Sequence, residues 1–252
     1  MMRKDAEIGW MMDNIGAEDP HVRDDVIYML LTNALKNETL TEEQFRLIAD
    51  TLVDQQLVFH HMTEALPAVL TRSFAALQSG NLIEADGTVG GRYHHLLTAA
   101  QRYAFFRWSL SYLDREHCYE GLSAECGWVH AFAHGGDYLA CAIAHPSFPS
   151  DLVEQVLTTL SGVFHRLGAP FVQGEERRLG EVIVAGIVSG NLTQSQVTRW
   201  LTRITFALEG NRDYQRLATF EVFLAYIYFH LLDKIGFEDG FKSALLGYLK
   251  EI

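Results

Sequence analysis

Apolar residues recur at three- and four-residue spacing along almost the whole chain, and no stretch sustains the alternation expected of a strand. Asp19-Pro20 reads as a helix start, with Asp as the cap and Pro in the first helical position. Val22, Val26, Met29, Leu30 and Ala34 follow at helical spacing. Thr41 with Gln44 makes a capping box ahead of Phe45, Ile48, Leu52 and Val53. A third helix is predicted from about Glu64, or from Pro67, to Gln78. Gly80 is its stop, and the glycine-bearing segment to Gly91 is a loop. Tyr93 to His117 is helical again, with Leu97, Ala100, Tyr103, Ala104 and Trp108 as its stripe. Ser123 caps a central helix that Pro146 ends. Helices are also predicted from Ser150 to the Gly168-Ala169-Pro170 stop, from Glu175 to Val188, after the Thr193/Gln196 box, from Arg212 to Ile235, and over a short last segment.

This punctuation predicts an all-α fold. The helices group in pairs beginning near positions 20, 63, 124, 174 and 212, intervals that scatter around the ~40–47 residues of HEAT and armadillo repeats. An irregular HEAT/armadillo-like superhelix of antiparallel helix pairs is the expected architecture, because such pairs bury one face by stacking on their neighbours. A globular helical bundle is the competing arrangement. No composition shift marks a boundary, so residues 1–252 read as one all-helical domain.

Composition narrows the function classes. The formal net charge is -12, and the longest basic run is the pair Arg177-Arg178. That argues against a nucleic-acid partner, whose phosphates need clustered Lys and Arg. The most apolar stretch, FEVFLAYIYFHLLDKIGF, is interrupted by Glu221, His230 and Asp233, so it reads as a buried helix and no membrane span is expected. The first ten residues lack the apolar core of a signal peptide, which points to a cytoplasmic protein. Three cysteines without a CxxC pair fit reduced thiols.

The stretch GWVHAFAHGGDYLACAIAHP, Gly127 to Pro146, carries the candidate chemistry. On a helix, His130, His134, Asp137 and Cys141 fall at steps of four, three and four and share one face. His130, His134 and Asp137 could supply three ligands to a divalent metal. The helical metalloprotease motif fails, however, because Ala131 stands where its glutamate belongs, and the base would have to come from Glu175 or Glu176. The plainer reading is a hydrogen-bonded polar seam between helices. Trp128 reads as core, His145 as a helix-end residue and Cys141 as a buried, inert thiol. The adjacent glycines Gly135 and Gly136 imply close backbone approach or bending. Arg23-Asp24-Asp25 and Glu175-Glu176-Arg177-Arg178 are two further polar clusters. Arg72, in the apolar run VLTRSFAAL, must be partly buried and needs a carboxylate, for which Asp24, Asp137 and Glu175 are candidates. No phosphate-cradling GxxxxGKS/T, dinucleotide-binding GxGxxG or GxSxG elbow is present.

EDPHVRDD (Glu18 to Asp25), LTRSFAAL (Leu70 to Leu77), GWVHAFAHGGD (Gly127 to Asp137) and GEERRLG (Gly174 to Gly180), in this order, resemble the bacterial domain-of-unknown-function family 2785, with Gly136 where alanine is commoner. The resemblance implies a single helical, HEAT-like cytoplasmic domain and supplies no activity. Two functions are therefore carried forward. One is a binding or interaction module for a protein or small-molecule partner. Its polar groove would be formed by Trp128, His130, His134, Asp137, Arg72, Asp24, Glu175 and Arg178. The alternative is a metal-assisted or His/Asp acid-base hydrolase using the same residues.

Overall fold

Several helix starts are set by side chains that take up backbone N–H groups left free in the first turn. Thr41, Thr98 and Thr193 each accept from the residue three positions on, and Gln44, Gln101 and Gln196 accept in return from the cap. Asp19 Oδ1 accepts from the His21 N–H at 2.9 Å. The computed structural model describes residues 5–249. The order is α1 (Asp5–Asp13), a π-helical segment (His21–Tyr28) running into α2 (Met29–Lys36), α3 (Glu42–Asp54), α4 (Ala68–Gly87), α5 (Ala99–Arg115), β1 (Leu122–Ser123), β2 (Gly127–Trp128), α6 (Ala131–Ala144), α7 (Val153–Arg166), α8 (Glu175–Ser189), α9 (Gln194–Leu201), α10 (Asn211–Leu231) and α11 (Asp239–Leu249). The all-α expectation holds. The one exception among the described residues is the two-residue antiparallel ladder β1–β2, too short to leave a period-two signal.

Alternate helices stack. α2 packs on α4, α4 on α6, α6 on α8 and α8 on α10, while α1, α3, α5 and α7 form a second series. Within the first series α4, α6 and α8 run parallel. Gly80 of α4 meets the Tyr138 backbone of α6, and seven residues later Gly87 meets His145, also seven residues on. Gly136 of α6 likewise meets Arg178 and Leu179 of α8, and Ile143 meets Gly186. Gly135 faces the other way, onto Tyr112 and Leu113 of α5. The glycine pair is thus explained by close approach on two sides of one helix.

The same contact corrects the predicted stop at Gly80. α4 continues to Gly87 because Gly80, buried against α6, serves packing and not capping. Residues 88–98 then form the connection, and α5 begins at Ala99 under its Thr98 cap, later than Tyr93. The buried face of α5 carries Phe105, Phe106, Leu110 and Leu113. The predicted stripe lies to one side, with Tyr103 exposed. At the first long helix the expected face is also rotated. Val26, Met29 and Leu30 are exposed, and Arg23, Ile27, Leu31 and Leu35 are buried. That four-residue spacing follows the wider π-helical winding.

Gly136→Ala would set a methyl group 2.9 Å from the carbonyl carbon of Arg178, so the helix-propensity gain is outweighed and a net loss of about 1–2 kcal/mol is expected. Gly9→Ala in α1 meets no atom within 4 Å and should instead stabilise by about 0.5–1 kcal/mol. Urea denaturation of the two variants measures both signs. Equal gains in both would rule out the tight α6–α8 contact.

Candidate functional site

The segment before α6 is a pinned hairpin and not a helical turn. The Val129 and His130 N–H groups both donate to the Gly121 carbonyl, at 3.0 and 3.2 Å. His130 adopts a left-handed conformation with φ 46° and precedes the helix, whose first bond runs from His134 N–H to the His130 carbonyl. A non-glycine residue held there costs about 1–3 kcal/mol, which the surrounding contacts must offset. Ser123, expected to cap the helix, lies in β1, where its Oγ accepts from the Glu125 and Cys126 N–H groups. The buried Arg23 guanidinium ties the hairpin to the amino-terminal helices. It donates to the carbonyls of Cys126 (2.6 Å), Trp128 (3.2 Å) and Ala17 (2.7 Å), and pairs with Asp24 at 3.0 Å.

The two histidines belong to a column of rings. The Arg23 guanidinium lies 4.7 Å from the Phe74 ring centre. Phe74 meets His134 edge-on at 4.9 Å, His134 meets His130 at 5.7 Å, and His130 lies 4.4 Å from Trp128. Trp128, expected in the core, is 43 % exposed and covers the open end of this column. Ser73 Oγ donates its single proton to the Val129 carbonyl at 2.6 Å. Toward His134 Nδ1, at 2.8 Å, it can therefore only accept, and His134 carries its proton on Nδ1. Burial, followed by the charges of His130, Arg178 and Arg23, holds the His134 imidazole well below its ordinary range. Burial and the Arg178 charge lower His130 to about 4. Both imidazoles are thereby held toward the neutral form.

The expected metal set is not assembled. Among the described residues, no three His, Cys, Asp or Glu side chains are placed to hold one ion. His130 Nε2 is buried without a partner, His134 is bonded to Ser73, and Asp137 is turned toward α8. There Asp137 Oδ1 accepts from Arg178 Nη1 at 3.1 Å. Burial pushes the Asp137 carboxyl up to about 6 against the pull of Arg178. Glu175 and Glu176 are buried at the first turn of α8, each with one oxygen unpartnered, and Glu175 Oε2 accepts from the Gln173 N–H.

Arg72 is paired elsewhere. It donates from Nε and Nη2 to both oxygens of Glu116, at 2.7 and 3.1 Å, with both side chains buried. None of the carboxylates expected for it is its partner. Glu116 also accepts from the His117 and Cys118 N–H groups at the end of α5, a cue too local to distinguish it from any other helix-end glutamate. A third buried cluster lay inside the segment read as a loop. Asp86 accepts from Arg102, from the Leu97 N–H and from His145 Nε2. His145 Nδ1 accepts from the Ser147 N–H, fixing its tautomer. His145 thus holds the end of α6 through Asp86, beyond the helix-end role predicted for it.

An open groove of about 510 Å³ crosses the first series of helices, lined from α2 by Lys36, from α4 by Asn81 and Glu84, from α6 by Asp137 and Cys141, and from α8 by Arg178 and Glu181. Of the residues expected to form a groove, Asp137 and Arg178 line it. Trp128, His130 and His134 form the ring column, and Asp24, Arg72 and Glu175 lie with other partners. Lys36, Glu84 and Glu181 were missed because each sits on a helix face that no motif marks.

Two predictions follow from these partners. Arg72→Met should cost about 3–5 kcal/mol in urea unfolding, because it strands the buried Glu116 charge. Arg178→Ala, with its side chain 58 % exposed, should cost under about 1 kcal/mol, and comparable losses would contradict the assignment. The pH dependences run in opposite directions. His130 titrates near 6.5 when unfolded and about 4 when folded, so its contribution is present above 6.5 and falls toward pH 4. Asp137 moves from 3.8 to about 6, so its contribution is lost as pH rises through that window. In unfolding measured against pH, His130→Asn should flatten the acid-side loss. Asp137→Asn should gain on the wild type from pH 4 to 6.

Among the described residues, no helix is long and apolar enough to cross a membrane. The chain matches no curated protein and no solved structure. A family model described as "Protein of unknown function (DUF2785)" matches residues 57–229, more than half of the chain and the part that holds α4 to α8 and most of the groove. The chain belongs to that family.

Proposed function

We propose that the protein is a binding module whose ligand lies in the groove across α2, α4, α6 and α8. The observation that carries this reading is the groove itself, about 510 Å³ in volume, with the Asp137–Arg178 pair on its wall. Concave sites with a few convergent polar groups are the usual places where ligands bind. The stacking of alternate, parallel helices supports the superhelix of helix pairs expected from the sequence, an architecture that serves by offering an extended face to a partner.

The acid-base hydrolase reading keeps one supporting observation. Asp137, with its carboxyl at about 6, is a groove residue placed to exchange a proton near neutral pH. His134 is buried and bonded to Ser73. On that alternative the chemistry would belong to Asp137, with Arg178 orienting it.

Thermal unfolding with separate panels of amino acids, polyamines, dipeptides and sugar phosphates tests the module. At least one class should raise the midpoint of the wild-type protein. A ligand at 100 times its Kd adds about 2.7 kcal/mol. The same class should leave the Asp137→Ala/Arg178→Ala variant unshifted. Equal stabilisation of both proteins, or of neither, would remove the groove as the binding site.

A further inference from the structure

The polar lining of the groove is unevenly committed, and the imbalance indicates what it takes. Glu84 of α4, Asp137 of α6 and Glu181 of α8 enter it from three successive helices. Arg178, one of its two cationic residues, is bound to Asp137 Oδ1, while among the described residues Asp137 Oδ2 and the Glu84 carboxylate have no protein hydrogen bond or ion pair. Glu181 accepts a hydrogen bond from the Tyr226 hydroxyl at 2.7 Å. Lys36 opposes the three acids, from the α2 side.

Their fields converge on Cys141. Burial first, then Glu84, Asp137 and Glu181, push its thiol up, and Lys36 acts against them. Lys36, Asn81, Glu84 and Thr88 also line a second hollow of about 180 Å³. An anion entering here would meet Glu84, Asp137 and Glu181 against Lys36 and Arg178, whereas a cation would give Glu84 and Asp137 Oδ2 a partner of opposite charge.

We propose, on the basis of the binding-module reading, that the groove accepts the end of a ligand carrying an ammonium or guanidinium group, seated over Cys141 between Glu84, Asp137 and Glu181. Its source is a free organic amine or the basic side chain of a peptide, since the two present the same charge to the same carboxylates.

Cys141 serves as the reporter. The full-length protein is treated separately with methanethiosulfonates bearing a trimethylammonium or a sulfonate group, and the modified peptides are mapped by mass spectrometry to separate Cys141 from Cys118 and Cys126. Relative to glutathione, the cationic reagent should be preferred at Cys141 by roughly tenfold or more, as a like-charged cleft raises the local concentration of the opposite charge. The preference should collapse in Glu84→Gln/Glu181→Gln. Spermidine or the tripeptide amide Gly-Arg-Gly should slow the modification, and whichever does so identifies the source. Where the raised thiol reacts with neither reagent, the unfolding midpoint decides: no rise with spermidine or Gly-Arg-Gly overturns the cationic ligand, and no rise with any ligand class overturns the binding-module reading as well. Reaction with both at the glutathione ratio, or absence of protection by either probe, would leave the groove open and overturn the cationic ligand.

Discussion

The close parallel contact of α4, α6 and α8 is the constraint on which the rest depends. Helix axes approach this closely only where a side chain is absent, and Gly80 and Gly136 leave it absent at successive interfaces. That spacing places Asp137 within 3.1 Å of Arg178 on the next helix. It also sets the register in which Glu84, Cys141 and Glu181 come to line one groove. A wider stack would still be helical and still bury its apolar faces, but it would bring no polar group of one helix to those of its neighbour.

The buried polar groups follow a second logic. Arg23, Arg72 and Asp86 sit at positions where an unpaired charge would cost several kcal/mol, and each is matched by several partners. Arg72 and Glu116 join α4 to the end of α5. Asp86 gathers α5 and the end of α6 through Arg102 and His145, with its carboxyl held below the ordinary range by their hydrogen bonds in spite of burial. These clusters are specific without being reactive. His130 and His134 lie in the ring column that runs from Arg23 and Phe74 to Trp128. Within the segment Gly127 to Asp137, Asp137 is the residue that lines the groove.

Local signals were legible in the sequence, and longer-range ones were not. Thr41 and Thr193 announce their helices because a capping box is written within four residues. Gly80 misleads because the same residue type ends a helix or admits a neighbouring one, and only the presence of Tyr138 decides which. Spacing drew His130, His134 and Asp137 onto one helix face, yet the left-handed turn at His130 breaks the helix on which that face was drawn. The need of Arg72 for a carboxylate follows from its apolar surroundings. The identity of that carboxylate, 44 positions away at Glu116, is set by the crossing of α4 and α5. Asp137 and Arg178, which line the groove, lie within conspicuous motifs, whereas Glu84 and Glu181 have nothing local to mark them.

Arg23 lies outside the family-matched span of residues 57–229, yet its guanidinium is seated on the carbonyls of Cys126 and Trp128 within that span. A fragment cut to the matched residues would lose the cation that satisfies those carbonyls and the charge that caps the Phe74 ring. It would also lose Lys36 and Tyr28 from the groove wall. The matched span and the bonded structure do not share an edge: Arg23, ahead of that span, is tied to a hairpin about a hundred residues downstream.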